Sequence, residues 1–377
     1  MNDILFHYAD FNHLKEREKL NEYGGIGYYR IIKPAQYIGK LNKVKVVGKD
    51  IQNLGTSFER IWSNVFTKNE CFWMNHFLGE PNAAAQAFFS DKYKRKLVYD
   101  LDDNFLDLPE SNQQYKKFLP GKHDRAILAA TLSFATTLVV STEPIKERLT
   151  KFFMDVYRME KNIVVLPNMN DLADWDFTPA PKHEDKIVIG YSGSNSHQED
   201  LVMVMPAIAR LMKKYKNLHF ELIGTVPKKD IPVYFGAAGF DDDCLQRLRL
   251  LPATPIFKDY PEYLASMQWD IGICPLVDTA FTRCKSHIKW MEYSVYKIPV
   301  VASRVYPYFM ELAGRKTITD GETGFLCRTV NEWEQKLERL ILSKELRKRI
   351  GEQAYNHIKK NWQYADYDFE AVLKQIK

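Results

Sequence analysis

Lys186-Ile187-Val188-Ile189-Gly190-Tyr191-Ser192-Gly193-Ser194-Asn195-Ser196-His197 is the stretch that decides the fold. Its opening residues are apolar on consecutive positions, as a strand covered on both faces requires, and a Gly/Ser turn follows. Gln198–Tyr215 then switches to a helical period, with Leu201, Val204, Met205, Ile208, Leu211 and Met212 on one stripe. Strand, small-residue turn and amphipathic helix make the first part of a β-α-β unit, so the sheet is parallel. The same alternation continues in both directions. Towards the N-terminus, strands are predicted at Ile4–Tyr8, Val44–Val47, Lys96–Tyr99, Thr137–Ser141 and Ile163–Leu166. From Lys186–Tyr191 onward they are predicted at Leu218–Ile223, Asp270–Cys274, Pro299–Ala302, Thr317–Thr319 and Phe325–Cys327.

A seam falls after Leu166. Pro167-Asn168-Met169-Asn170-Asp171 is a turn cluster, and Thr178 to Asp185 reads as an extended polar linker. The expected organisation is a first Rossmann-like domain over 1–170, a linker over 171–185 and a second Rossmann-like domain over 186–355. A C-terminal helical segment over 356–377 is expected to pack back on the first domain. Helices near Glu332–Leu342 and Lys344–Lys360 lead into the aromatic residues Trp362, Tyr364, Tyr367 and Phe369.

Composition narrows the class. The chain has 377 residues, 45% of them hydrophobic, which allows two or three domains with their own cores and excludes a wholly disordered chain. The longest uncharged stretch, Ala126 to Thr142, is shorter than the ~20 apolar residues of a spanning helix and is interrupted by Thr and Ser. No transmembrane segment is expected. Cys71, Cys244, Cys274, Cys284 and Cys327 are odd in number and lack metal-knuckle spacing, which points to reduced thiols. Met1-Asn2-Asp3-Ile4-Leu5 lacks a positive leader. The expected location is therefore cytoplasmic, with the inner membrane face as a peripheral variant, or host cytoplasm for a viral protein.

The formal net charge is +5. That mild bias suits an anionic ligand without demanding nucleic acid. The basic run Lys92 to Lys96 reads as a solvated helix end before a strand, with an anionic surface or DNA as the other reading.

Chemistry concentrates in Phe281-Thr282-Arg283-Cys284-Lys285-Ser286-His287-Ile288-Lys289-Trp290-Met291-Glu292-Tyr293. Ser286 is the expected N-cap of a helix reaching about Tyr296. Arg283, Lys285, His287 and Lys289 crowd its start, where the free N–H groups already make the end positive. A phosphate or diphosphate held there would resolve the conflict. Lys285, Lys289 and Glu292 share one helix face, so Glu292 could accept from a ribose diol while the lysines hold phosphate. A solvated basic face with a Lys289–Glu292 pair is the other reading of the same spacing.

Gly193 and Ser194 sit in a turn whose N–H groups can face an anion, and His197 is placed to donate to phosphate. Tyr23-Gly24-Gly25-Ile26-Gly27-Tyr28-Tyr29-Arg30 is a second glycine-rich segment, in the first domain. Asp100, Asp102 and Asp103 end a strand, where active-site groups of open α/β sheets collect. Asp102 or Asp103 is the expected acceptor contact or general base. His123 and Asp124 read as a helix cap, Trp269 and Trp290 as core.

Taken in order, these segments resemble the GT-B glycosyltransferases, family 4 of the nucleotide-sugar-dependent enzymes, and within it the branch that builds bacterial and phage surface polysaccharides. The similar features are Gly24–Arg30, Tyr99–Asp103, Ser141-Thr142-Glu143, Leu166-Pro167-Asn168, Gly190–His197 with Asp200, Asp270–Leu276, Lys285–Tyr293 with Pro299–Ser303, and Gly321–Phe325. They cover nearly the whole chain.

The resemblance implies two Rossmann-like domains facing across a cleft, the second binding a UDP-, GDP- or dTDP-sugar. It also implies transfer to a glycan or glycolipid with retention, and no required cofactor or metal. Donor contacts would come from Gly25, Gly193, Ser194, His197, Ser286, Lys289 and Glu292. Lys285 and Arg283 would neutralise the leaving diphosphate. Arg30 and Asp100 would contact acceptor, beside Asp102 and Asp103. The family carries a Glu, seven residues, then a second Glu; here Glu292 fits the second position and Cys284 stands at the first. Modified DNA bases are the alternative acceptor. A binding module without turnover, and a sugar phosphorylase or nucleotide-sugar epimerase, are the competing functions.

Overall fold

A computed structural model describes residues 3–8, 23–47, 69–75, 91–112, 114–194, 197–224, 226, 231–254 and 256–376. The chain forms two compact units. The first comprises Met1–Met169, Pro255–Lys258 and Tyr364–Lys377; the second comprises Asn170–Thr254 and Asp259–Gln363.

In the first unit, β1 (Asp3–Tyr8), β2 (Lys43–Val47), β3 (Cys71–Asn75), β4 (Lys96–Leu101), β5 (Thr137–Val140) and β6 (Ile163–Val165) form one sheet in the order β2-β1-β3-β4-β5-β6. All five pairings are parallel. Helices such as His123–Phe134 and Glu143–Tyr157 make the crossovers. The second unit holds β7 (Ile187–Ser192), β8 (Leu218–Ile223), β9 (Leu248–Leu251), β10 (Ile271–Cys274) and β11 (Val300–Ser303). A hairpin of β12 (Glu311–Leu312) and β13 (Arg315–Lys316) precedes β14 (Phe325–Cys327). The main sheet runs β14-β11-β10-β7-β8-β9, again all parallel.

The expected parallel α/β architecture is thus what the chain adopts, with local differences. Thr317–Thr319 does not join a sheet. Ile318 N–H and the Thr317 hydroxyl donate instead to the Tyr308 and Met310 carbonyls around the hairpin. β3 and β9 have no counterpart among the predicted strands. β3 is an aromatic run that reads equally as buried helix, and β9 is a four-residue edge strand. The polar linker is not free: Trp175 is buried against Tyr260 and Tyr296, and Ala180 N–H donates to the Ala265 carbonyl. The last long helix runs unbroken as Lys344–Asn361 within the second unit. Only from Tyr364 does the chain belong to the first, where the Tyr364 hydroxyl donates to the Tyr29 carbonyl at 2.7 Å.

The apolar stripe of the helix Gln198–Lys214 is fully buried, with Leu201, Val204, Met205, Ile208, Leu211 and Met212 all at 0% exposure. Each such side chain contributes roughly 1.5–3 kcal/mol of transfer free energy. Trp269 and Trp290 are core, as read, their indole N–H groups donating to Glu221 and the Thr323 carbonyl.

Two expectations fail inside the cores. Arg30 and Asp100 do not face an acceptor; both are 0% exposed. The guanidinium grips Asp100 bidentately at 2.8 and 3.0 Å and donates to the Leu166 carbonyl and Asn168. Trp73 and Asn75 complete the carboxylate's shell. Burial pushes the Asp100 carboxyl up from its ordinary value, and the Arg30 charge and hydrogen bonds offset part of that shift. His287, expected with Arg283, Lys285 and Lys289 at the helix start, is 0% exposed with its ring 3.9 Å from that of Trp362. Neither ring nitrogen has a hydrogen-bond partner, and burial pushes its pKa down to about 3.

Arg30→Met should leave Asp100 buried and unpaired, costing about 3–5 kcal/mol in urea denaturation, with Arg30→Met/Asp100→Asn recovering part of the loss. For His287 the unfolded imidazole takes its proton near its ordinary value and the folded one only near 3. Its contribution is therefore complete above about pH 6.5 and lost as pH falls towards 3. Wild-type stability should drop relative to His287→Phe by up to about 1.4 kcal/mol per pH unit between pH 6 and 4. Parallel pH curves for the two proteins would contradict the assignment.

Candidate functional site

In the second unit the chain starts at the central β7, adds β8 and β9 on one side, then returns to β10 on the other. Ligands of open α/β sheets bind outside the carboxyl ends of the strands at such a switch. The turn after β7 and the loop after β10 flank it. Of the predicted donor residues, Gly193, Ser194, His197 and Ser286 lie on these two segments, Lys289 and Glu292 on the helix that follows the second, and Gly25 in the first unit.

Gly190 lies within β7, as the predicted strand Lys186–Tyr191 has it. A Cβ there would fall 1.8 Å from the Trp269 ring, so packing requires the glycine. Gly193 follows the strand, its N–H tied to the Ile223 carbonyl at 3.1 Å, and a Cβ would lie 2.7 Å from the Tyr191 hydroxyl. Ser194 is exposed, while Asn195 and Ser196 fall outside the described residues. The Tyr293 hydroxyl accepts the Ser192 N–H at 2.8 Å and so fixes where the strand ends.

His197 ends the turn as the N-cap residue of Gln198–Lys214. Its Nδ1 lies 2.8 Å from Asp200 Oδ2, and its Nε2 lies 3.5 Å from Lys289 Nζ. Burial first, then Lys289, pushes the His197 pKa down to about 4 against the pull of Asp200. At neutral pH the ring is uncharged.

After β10 the loop is pinned at three points. Leu276 N–H donates to Ser303 Oγ, Val277 N–H donates to Asp200 Oδ1 at 2.7 Å, and Thr279 and Thr282 bond each other. The helix itself is Ile288–Val295, capped by His287 with no side-chain cap bond, so Ser286 lies one residue before the cap position it was expected to fill. Arg283 already has a carboxylate partner. Its side chain is 60% exposed and held bidentately by Asp278 at 2.6 and 3.0 Å. With His287 in the core, Lys285 and Lys289 are the cations of the original four that stay half-buried at the helix start.

Lys285 Nζ stands 4.5 Å from the Phe281 ring centroid, and Lys289 Nζ 5.7 Å from that of Tyr191. Burial lowers the Lys289 pKa, with Cys274 and Glu292 opposing. Glu292 is buried and accepts from the Tyr260 hydroxyl at 3.3 Å. Cys284, at the other position of the family's glutamate pair, is buried at 4% exposure.

Asp200 enters the sequence reading only as a feature of the family resemblance, with no contact assigned to it, and Tyr260 does not enter it. The signal for Asp200 was present: it follows His197 by three residues, the spacing that brings side chains together on a first helical turn.

In the first unit, Asp102 and Asp103 are half-buried just beyond β4, and the Asp102 carbonyl accepts from Ser141. Asp100 is turned inward to Arg30, so the three aspartates do not form one cluster. Among the described residues, no group of three His, Cys, Asp or Glu is arranged to hold a metal ion. Gly25 is exposed at the start of the short helix Gly25–Gly27. His123 and Asp124 lie within the first turn of their helix, whose N-cap is Lys122. Of the run Lys92 to Lys96, Lys92 and Tyr93 end a helix, Lys94 is left-handed, and Lys96 is already the first residue of β4. No helix among the described residues is long and apolar enough to cross a membrane.

No protein-family model and no curated protein sequence matches the chain. Solved structures do. HepE of Anabaena, in complex with UDP-glucose, aligns over 99% of this chain and 98% of its own with a TM-score of 0.63 at 14% identity. A glycosyltransferase from Rickettsia africae aligns over 100% and 99% with 0.65 at 14% identity. Sucrose-phosphate synthase from Thermosynechococcus elongatus aligns over 100% and 97% with 0.59 at 10% identity. At these identities the likeness establishes architecture: the chain has the GT-B fold of two parallel-sheet α/β domains.

Proposed function

We propose that this chain is a glycosyltransferase whose second unit binds a nucleotide-sugar through its diphosphate. The observation that carries the reading is the placement of Lys285 and Lys289 at the β7/β10 switch, beside the uncharged His197. Two ammonium groups at a helix start repel the local dipole, and a diphosphate is the partner that reverses that sign. Glu292, oriented by Tyr260, is the acceptor for a ribose diol. The fold shared with a protein crystallised with UDP-glucose supports a UDP-sugar as the first donor to test.

In the transfer, an acceptor hydroxyl bonds to the anomeric carbon on the face from which the diphosphate departs, the bond to the diphosphate breaks, and the hydroxyl proton passes to the departing phosphate oxygen. The negative charge gathers on the departing diphosphate, where Lys285 and Lys289 would stabilise it. Asp102 and Asp103 remain the acceptor-side groups, with a glycan or glycolipid as acceptor and retention as the stereochemical outcome. The family resemblance supports both of these finer points.

UDP, GDP and dTDP should be compared by calorimetry and thermal shift. One of them should raise the melting temperature, and Lys289→Ala should weaken its binding by about 10–100-fold, the size of a lost charge-assisted hydrogen bond. Glu292→Ala should weaken binding of the nucleoside diphosphate more than that of inorganic pyrophosphate. Arg283→Ala should lose least, because Asp278 already holds its guanidinium. Failure of all three nucleotides to bind wild-type protein at millimolar concentration would end the reading.

A further inference from the structure

Asp200 stands in the first turn of Gln198–Lys214, 5% exposed, and its two oxygens reach two different loops. Oδ2 meets His197 Nδ1 at 2.8 Å, in the turn after β7. Oδ1 accepts the Val277 N–H at 2.7 Å, in the loop after β10. One carboxylate therefore ties together the two segments that flank the switch.

It also sets a hydrogen-bond polarity. An ionised carboxylate only accepts, so Nδ1 of the neutral imidazole must carry the hydrogen and Nε2 keeps its lone pair. That lone pair faces Lys289 Nζ at 3.5 Å, and an ammonium only donates. The opposite tautomer would set an N–H against the ammonium with no acceptor between them.

We propose that Asp200 is the positioning residue of the donor site, directing the Lys289 ammonium through the tautomer of His197 and holding the loop after β10 through Val277. The proposal rests on the nucleotide-sugar reading. Both Asp200 oxygens are already engaged within the protein, so it acts through His197 and the loop after β10. Its role resembles that of the outer groups that orient a histidine by bonding its second nitrogen, whose removal commonly costs about 10–100-fold in the function served.

The test uses the full chain and Asp200→Asn. The asparagine oxygen can keep the Val277 N–H while its amide N–H₂ faces Nδ1, which makes Nδ1 an acceptor and moves the hydrogen to Nε2. The readouts are the ¹⁵N shifts of the His197 ring, identified by their loss in His197→Gln, and UDP affinity by calorimetry. The expected result is an Nδ1–H tautomer in wild type, an Nε2–H tautomer in Asp200→Asn, and UDP binding weakened about tenfold or more. Asp200→Glu should restore the wild-type tautomer and part of the affinity.

A wild-type Nε2–H tautomer overturns the proposal even if Asp200→Asn fails to fold. So does a flipped tautomer with UDP affinity within twofold of wild type, or a lost affinity with the tautomer unchanged, which would make Asp200 merely structural. Wild-type protein that binds no nucleoside diphosphate sinks the parent reading instead, and the tautomer measurement then still decides whether Asp200 governs His197.

Discussion

Parallel pairing is the constraint on which the rest depends. Every strand of both six-stranded sheets runs parallel to its neighbours, so each connection must cross a face and cover it. Strands enclosed in this way carry apolar side chains on consecutive positions, as Val188, Ile189 and Tyr191 do in β7. A polar group within such a strand must find its partners inside the protein. Freely hydrated chemistry is left to the carboxyl ends, and the order of strands decides which ends stand apart. In the second unit the opening lies between β7 and β10, and the residues assigned to the donor there come from the segments that follow those two strands.

The same constraint explains what the sequence could and could not disclose. Apolar runs bounded by turn residues identified most of the buried strands; β3, buried along its whole length, escaped because its aromatic run reads equally as helix. β9 escaped because an edge strand of four residues with an exposed Arg249 carries too little of it. Asp100 misled for a different reason. A carboxylate near a strand end reads as a site group, and nothing local reveals that Arg30, seventy residues earlier in the chain, is turned into the core to meet it. Long-range ion pairs of this kind are fixed by topology, and a one-dimensional pattern holds no information about them. The pair then becomes a structural demand, since removing one partner strands the other charge in a medium that cannot solvate it.

The candidate site was legible as a composition of charge and less so as a geometry. Four cations around residue 286 were visible at once, but their fates diverge. Arg283 finds Asp278 five residues earlier, a pairing local enough to have been suspected. His287 turns inward against Trp362, which comes seventy-five residues later. Lys285 and Lys289 remain, and the second contacts His197, whose partner Asp200 no charge count would have singled out. The reading of a positive helix start therefore survives with half of its original members and one carboxylate that had been given no role.

That change alters the physics of the site. A ring of four exposed cations would attract any anion and release it to salt, since exposed charges are screened within about 10 Å at ordinary ionic strength. Lys289 instead is desolvated enough for its pKa to fall, and His197 beside it stays uncharged. Burial lowers the ammonium's proton affinity because protein dipoles replace its water incompletely; a diphosphate oxygen at hydrogen-bond distance would supply the missing solvation. The gain is larger than at a hydrated lysine because the cost of stripping Lys289 of water was met when the unit folded. Linkage requires the converse as well: an anion bound there must raise the Lys289 pKa by the amount that the charged lysine favours the anion. Affinity and protonation at this lysine are thus one quantity measured from two sides.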